Sequence, residues 1–224
     1  MRVREKFGLS VVVENDANAA ALAESMWGAG AGYKIVFYTT IGTGIGTGLI
    51  LDGRIYNGRT GLAPEGAHIP LDWKNGMQCG CGKRGCIEGS AAGPAIAKRA
   101  RGKIGESRER GKALLELAGG DVDRVTAEMV AEAWRAGDPL ATETLRETME
   151  LITVWLGAIV DLLEPEAIVV GGGIGELVSQ WFPEMREMLP RWTMNPRVGE
   201  IPLKLAKYSA DAGIAGGGAI CREI

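Results

Sequence analysis

The chain has 224 residues, of which 46% are hydrophobic and 24% charged, enough for one well-packed domain. Its formal net charge of −3 is spread along the sequence, and no segment approaches the ~18 consecutive apolar residues of a membrane-spanning helix. These features argue against a nucleic-acid partner and against a membrane partner. The first ten residues lack the apolar core of a signal peptide, so we expect a cytoplasmic protein with reduced cysteines.

The first third of the chain predicts a strand and a helix, followed by paired strands. A β-branched run at residues 11–13 predicts a strand, and Asn15 or Asp16 would cap an alanine-rich helix that ends at Gly28 or Gly30. A second strand at 35–40 runs into the glycine-rich turn 42–48. The strand 49–51, an Asp-Gly hairpin turn and a returning strand at 54–57 would follow.

Residues 58–89 are rich in Gly, Pro and Cys and show no hydrophobic periodicity, which is unusual for so long a segment of a compact domain. Beyond it, the patterns predict helices at 94–100, 113–118, 127–135, 139–163, 177–189 and 210–222, with strands at 167–170 and 202–206. The basic stretch 98–110 lies between helical patterns, and we interpret it as a solvated connection. Together these elements predict an α/β layered domain.

Three of the four cysteines, Cys79, Cys81 and Cys86, lie within eight residues of one another, and the single histidine, His68, lies shortly before them. Three thiolates and one imidazole are a standard closed ligand set for structural zinc. Metal binding would also explain how an aperiodic segment becomes ordered. The alternatives are free cysteines in a flexible loop and a Cys-x-Cys redox pair. The fourth cysteine, Cys221, falls in the last predicted helix, where we expect an inert core residue.

Several carboxylates lie near these ligands. Asp16 follows a predicted strand and begins a helix, so it could take a proton from a substrate hydroxyl, or it could serve only as a helix cap. Glu65 and His68, three residues apart, would point the same way on a helical turn. With Glu88 they could hydrogen-bond sugar hydroxyls, or they could belong to a solvated acidic loop.

Two glycine segments could approach phosphate groups. The turn of Gly42, Thr43 and Gly44 could cradle phosphate oxygens with its backbone N–H groups, although a plain hairpin would look the same. The run of Gly171, Gly172 and Gly173 follows a buried strand and precedes a helix, as in nucleotide sites and in ordinary βα turns.

Taken together, six segments resemble the ROK family, whose members are bacterial sugar kinases and sugar-responsive repressors. The segments occur in family order and comprise residues 14–20 (ENDANAA), 40–48, 58–68, 79–88, 169–173 and 211–219. The resemblance implies an actin/hexokinase-like (ribonuclease H-like) lobe with a small zinc-binding loop at 61–90. It also implies that the protein forms a homodimer. It also implies ATP-dependent, Mg²⁺-assisted phosphorylation of a hexose such as glucose.

By position, the resemblance implies that Asp16 is the catalytic base and that Asn15, Glu65, His68 and Glu88 bind the sugar. It implies that the zinc ligands are His68, Cys79, Cys81 and Cys86. The turn of Gly42, Thr43 and Gly44 would lie near the ATP phosphates, and Gly171, Gly172 and Gly173 near the adenosine.

The sequence departs from the family pattern in two ways. No Asp-x-Gly-Gly-Thr loop occurs, so we expect that the 224 residues form the C-terminal lobe, that the N-terminal ATP-phosphate lobe is absent, and that the isolated chain is inactive. In addition, Gly66-Ala67 stands where the family usually has Ile-Gly. The alternative functions are the effector-sensing domain of a ROK-type repressor and a decayed fragment that retains only structural zinc.

Overall fold

A mixed five-stranded sheet lies at the centre of the computed structural model, which describes residues 2–223. Its strands are β1 (Ile35–Ile41), β2 (Ile45–Leu51), β3 (Arg54–Ile55), β4 (Ala167–Gly171) and β5 (Leu203–Leu205). They stand in the order β3-β2-β1-β4-β5. β1 pairs antiparallel with β2 and parallel with β4, whereas β4 and β5 are parallel. The predicted α/β class is confirmed.

Ten helices surround this sheet in the described part of the chain. They are α1 (Arg2–Phe7), α2 (Asp16–Trp27), α3 (Ile87–Ala91), α4 (Gly93–Glu106), α5 (Lys112–Leu117), α6 (Ala127–Arg135), α7 (Pro139–Leu163), α8 (Gly172–Val178), α9 (Phe182–Met188) and α10 (Ala212–Glu223). None of the helices within residues 2–223 is both long enough and apolar enough to cross a membrane.

The sheet buries both of its faces, as the alternation of side chains along β1 requires. Val36 and Tyr38 pack with α2 and α10 on one face. Phe37 points to the other face and joins the larger core, which includes Trp155 of α7. Residues 2–223 thus form a three-layer arrangement in which the start of α2 and the ends of β1 and β4 are available to build a site.

The glycine-rich turn is shorter than predicted. Only residues 42–44 connect β1 to β2, with the N–H of Gly42 donating to the carbonyl of Gly44 at 2.9 Å. Gly46 and Gly48 lie inside β2 because α2 crosses the strand closely. A Cβ on Gly48 would come within 2.6 Å of the Ala21 Cβ.

Three other predictions need correction. Residues 11–13 are not part of the sheet, and Val13 is 90% exposed, so β-branched composition alone did not form a strand. The helix predicted at 177–189 is broken by a 3₁₀ turn at Ser179–Trp181, after which Pro183 lies in the first turn of α9. Cys221 is exposed and is not a core residue.

The basic stretch 98–110 is largely helical and is not the solvated connection predicted. Residues up to Glu106 belong to α4, and several of their charges are used inside the fold. Lys103 pairs with Glu143 and Glu147 of α7, and Arg99 donates to the Thr148 hydroxyl. Helical periodicity places these cations on the face that meets α7.

Candidate functional site

The predicted metal ligands come together. One ligand atom from each of His68, Cys79, Cys81 and Cys86 lies within 4.8 Å of all the others. The Cys81 and Cys86 sulfurs are 3.7 Å apart, and the Cys79 sulfur is 3.6 Å from His68 Nδ1. Ligands bound tetrahedrally to zinc at about 2.0–2.3 Å stand roughly 3.4–3.8 Å apart, so the donor types and their spacing fit that ion.

Backbone turns bring the sulfurs together. The N–H of Cys79 donates to the carbonyl of Lys83 at 2.9 Å, and Pro70 forms an isolated bridge with Cys86. Gly85 has a φ of +77° and lies so close to Asp72 that a Cβ would come 2.0 Å from the Asp72 carbonyl oxygen. Glycine is therefore required at that position.

The three thiols differ in their surroundings. Burial raises the pKa of Cys86 to about 12 and also raises that of Cys79. A backbone hydrogen bond from Lys83 lowers the pKa of the exposed Cys81. Buried thiols become thiolates only when a cation compensates the cost of their charge, which a bound metal would do.

Glu65, His68 and Glu88 lie together beside the cysteines. His68 sits on a 3₁₀ turn (Gly66–His68), with Nε2 3.7 Å from Glu65 Oε2 and Nδ1 3.9 Å from Glu88 Oε1. The other oxygen of Glu88 accepts from the N–H of Ile45 at 3.1 Å. This contact joins α3 to the β1–β2 turn, so Glu88 links the cysteine loop to the turn predicted to approach phosphate.

Asp16 does not cap α2. Asn15 is the cap, and its side-chain oxygen accepts from the N–H groups of Ala17 and Asn18 at 2.9 and 3.1 Å. Asp16 occupies the first helical position and is exposed. Asp16 Oδ1 also accepts from the Ala17 N–H at 2.8 Å. Because Asn15 is the N-cap, the second, exposed oxygen of the Asp16 carboxylate is available for another role.

A buried polar cluster that the sequence did not suggest joins α2 to the segment leading to Glu65. Asn18 is 2% exposed, and its Nδ2 donates to the Asn57 side-chain oxygen at 2.8 Å and to Glu14 Oε1 at 3.2 Å. Asn57 in turn donates to Glu14 Oε2 at 3.0 Å. The contact spans 39 residues, and no local pattern around Asn57 signals it.

The charge of Glu14 contributes to the stability of this cluster. Partial burial opposes ionisation, but hydrogen bonds from the Asn15 N–H, Asn57 and Asn18 outweigh it and lower the pKa of Glu14. We expect Glu14→Gln to lower the free energy of unfolding by about 1 kcal/mol at pH 7, because an amide donor would face another donor. Chemical denaturation with tryptophan fluorescence measures the change.

The pH dependence of this difference has a definite sign. A carboxyl group whose folded-state pKa is depressed stabilises the protein above its unfolded-state pKa, and that contribution is lost as pH falls through the folded-state pKa. The difference in the free energy of unfolding between wild type and Glu14→Gln should therefore disappear in acid. Glu106→Gln, the same change at an exposed position, serves as the control. If wild type and Glu14→Gln still differ in the free energy of unfolding below the folded-state pKa, the charge of Glu14 is not what stabilises the cluster.

The two predicted glycine segments open onto one cavity of about 590 Å³. Gly42 and Thr43 lie on one side of it and Gly173 on another. Gly172 has a φ of +79°, and a Cβ there would come 2.4 Å from the carbonyl oxygen of Ile41, so β1 and the β4–α8 turn touch at this point. The volume suits a small organic ligand.

Sequence patterns did not predict the remaining walls of this cavity. α4, α6 and α8 supply a mainly apolar lining with four polar or charged side chains, namely Arg101, Thr126, Glu128 and Arg135. The guanidinium of Arg101 donates to the Val125 carbonyl at 2.7 Å. Arg101 lies on α4, whereas Thr126, Glu128 and Arg135 lie on or just before α6, so the packing of α4 against α6 brings them together.

Comparison with curated proteins finds glucokinases. The glucokinase of Streptomyces coelicolor is 34% identical over 223 residues, an alignment that covers 99% of this chain and 70% of that protein. The chain thus spans about 70% of the length of this relative.

Comparison with solved structures finds a glucokinase and a transcriptional regulator. A ROK family glucokinase from Streptomyces griseus, solved with glucose and AMPPNP, matches with a TM-score of 0.87 and 35% identity, covering all of this chain and 72% of that one. A ROK family transcriptional regulator homologous to the E. coli MLC protein matches with a TM-score of 0.84 and 27% identity, covering 98% and 54%. The ROK family model matches residues 1–224. The chain belongs to the ROK family.

Proposed function

We propose that this chain carries the sugar-binding and catalytic lobe of an ATP-dependent hexose kinase, with glucose the first substrate to test. The observation that carries the proposal is the exposed carboxylate of Asp16 at the first position of α2, where Asn15 already caps the helix. The identity to glucokinases along almost the whole chain supports the same function.

In the proposed reaction, Asp16 accepts the proton of a sugar hydroxyl while that oxygen attacks the γ-phosphorus of ATP. A bond forms between the hydroxyl oxygen and the phosphorus. The bond from the phosphorus to the β–γ bridging oxygen breaks, and ADP leaves. Asn15, Glu65, His68 and Glu88 would orient the sugar by hydrogen bonds, and Mg²⁺ would offset the phosphate charge.

We assign the 590 Å³ cavity to ATP. Gly42, Thr43 and Gly44 would lie near the phosphates, and Gly171, Gly172 and Gly173 near the adenosine. Glu88 bonds to the backbone of Ile45, directly after the turn, so the proposed sugar ligands and the proposed phosphate turn are linked by one hydrogen bond.

We further propose that His68, Cys79, Cys81 and Cys86 hold a structural zinc ion. Four protein ligands would complete its tetrahedral shell and leave no position for a reactive water, so its role would be to order the loop at residues 61–90. His68 can serve two purposes, because Nδ1 faces Cys79 while Nε2 faces Glu65.

By domain, we assign residues 1–224 to the C-terminal lobe of a ROK sugar kinase. The sequence contains no Asp-x-Gly-Gly-Thr loop for the ATP phosphates, so we expect little phosphoryl transfer from the 224-residue chain by itself. A homodimer is the proposed assembly, which light scattering would measure.

The test is a coupled assay of ADP release from a panel of hexoses by the natural gene product, translated from its genomic start. We expect turnover with at least one hexose and strict dependence on ATP and Mg²⁺. The 224-residue chain should be nearly inactive in the same assay. A natural product that binds hexoses but phosphorylates none would contradict the proposed kinase.

The second candidate function is the effector-sensing domain of a repressor, favoured by the similarity to the MLC homologue. Such a protein would retain the sugar ligands and the metal site but would need no base at Asp16. A helix-turn-helix in the sequence upstream of Met1 would identify it.

A further inference from the structure

The turn that carries Glu65 and His68 is held by hydrogen bonds from side chains of two other elements. The turn contributes only the small side chain of Ala67 to the core, because Gly66 has none. Glu65 is the residue before the 3₁₀ turn and His68 its last residue. Whatever fixes the backbone between them also fixes the two proposed sugar ligands.

The first support is Thr47 of β2, which is 5% exposed. Its hydroxyl donates to the carbonyl of Pro64 at 2.9 Å and accepts from the N–H of Gly66 at 3.1 Å. One buried side chain therefore satisfies the backbone on both sides of Glu65. Leaving either group without a partner would cost about 1–3 kcal/mol, so the hydroxyl holds this backbone firmly.

The second support is Trp155, in the middle of α7 and fully buried. Its Nε1 donates to the carbonyl of Gly66 at 3.0 Å, across 89 residues of sequence. The ring packs edge-on against Phe37 of β1, with centroids 5.8 Å apart, so the donor itself is held in place. Thr47 and Trp155 thus bond to both polar backbone groups of Gly66.

The space around Gly66 is nearly filled by its neighbours. A Cβ at Gly66 would lie 3.4 Å from Ile159 Cδ1, 3.6 Å from Thr47 Cγ2 and 3.7 Å from the Phe37 ring. These are ordinary van der Waals distances, so a methyl group would fit, and Gly66 lies against the packed core. The polar backbone groups of Gly66 are therefore held by side chains from β2 and α7.

We propose that Thr47 and Trp155 are positioning residues, which hold Glu65 and His68 in the orientation that binds the sugar. The role rests on the proposed kinase function. Neither residue touches the substrate, and both act through the backbone of Gly66. Their loss should therefore weaken sugar binding while leaving the nucleotide cavity, which neither residue lines, intact.

The experiment compares Thr47→Val, Thr47→Ser and Trp155→Phe in the natural gene product. We expect the valine and phenylalanine variants to raise the sugar KM about tenfold, while the ATP KM changes less than about twofold. Thr47→Ser, which keeps the hydroxyl, should restore a near-normal sugar KM. Thr153→Val is the matched control, since it removes a buried hydroxyl that bonds only within α7.

Amide hydrogen exchange at Gly66 gives a readout that does not require activity. The N–H donates to Thr47, so its exchange should accelerate about tenfold in Thr47→Val and not in Thr47→Ser. An unchanged sugar KM in both Thr47→Val and Trp155→Phe would overturn the inference, as would a serine variant as impaired as valine. A wild type inactive on every hexose would refute the proposed function instead, and the exchange rates would still decide whether Thr47 anchors the turn.

Discussion

Asp16→Asn in the natural gene product is expected to lower kcat for hexose phosphorylation by a factor of about 10²–10⁴, the usual contribution of a positioned general base. The amide has the shape of the carboxylate but cannot accept the proton of the sugar hydroxyl. Asn15 is the N-cap of α2 and accepts from the N–H groups of both Ala17 and Asn18, so the helix should remain formed. The sugar KM should stay within about threefold of wild type, since binding does not need the base.

Asp52→Asn provides the control for this substitution. Asp52 is an exposed aspartate in the hairpin turn between β2 and β3, with a φ of +49° that asparagine tolerates well. The control should retain wild-type kcat. Equal turnover by Asp16→Asn and wild type would remove Asp16 from the mechanism, and with it the main distinction from a sugar-sensing repressor domain.

Cys86→Ser is expected to abolish stoichiometric zinc and to destabilise the protein by at least about 5 kcal/mol, since structural zinc binds with about 10–16 kcal/mol. For a chain of this size the loss corresponds to a fall of about 10–20 °C in melting temperature. Cys86 is fully buried, and its sulfur lies 3.7 Å from that of Cys81, so it is central to the cluster. Metal analysis and calorimetry measure the two effects.

A strong chelator should reproduce the effect of Cys86→Ser on wild type and should have little further effect on the variant. Cys221→Ser changes an exposed cysteine in α10 and should leave both zinc content and melting temperature unchanged. Purified wild type that contains no stoichiometric zinc, and melts at the same temperature with and without the chelator, would refute the metal site.

Local chemistry explains which predictions the structure confirmed. The helices at 127–135 and 139–163 were predicted with their observed bounds because a threonine or aspartate cap, a proline and a regular apolar stripe mark them. The predicted strand at 11–13 does not form, because a β-branched run becomes a strand only beside a partner strand. The cap assignment of Asp16 was resolved only when the hydrogen bonds showed that Asn15 performs it.

From sequence alone one can predict the Cys and His residues that could hold a metal, the strand–turn–strand that carries Gly42 and Thr43, and the carboxylates beside them, because donor type and spacing are local properties of the chain. Only the tertiary structure decided what holds those groups in place. Thr47 and Trp155 meet Gly66, Glu88 meets Ile45, and Asn57 meets Asn18 across 19 to 89 residues. Such contacts depend on how the helices and the sheet pack, and a pattern read within one short window contains no information about that packing.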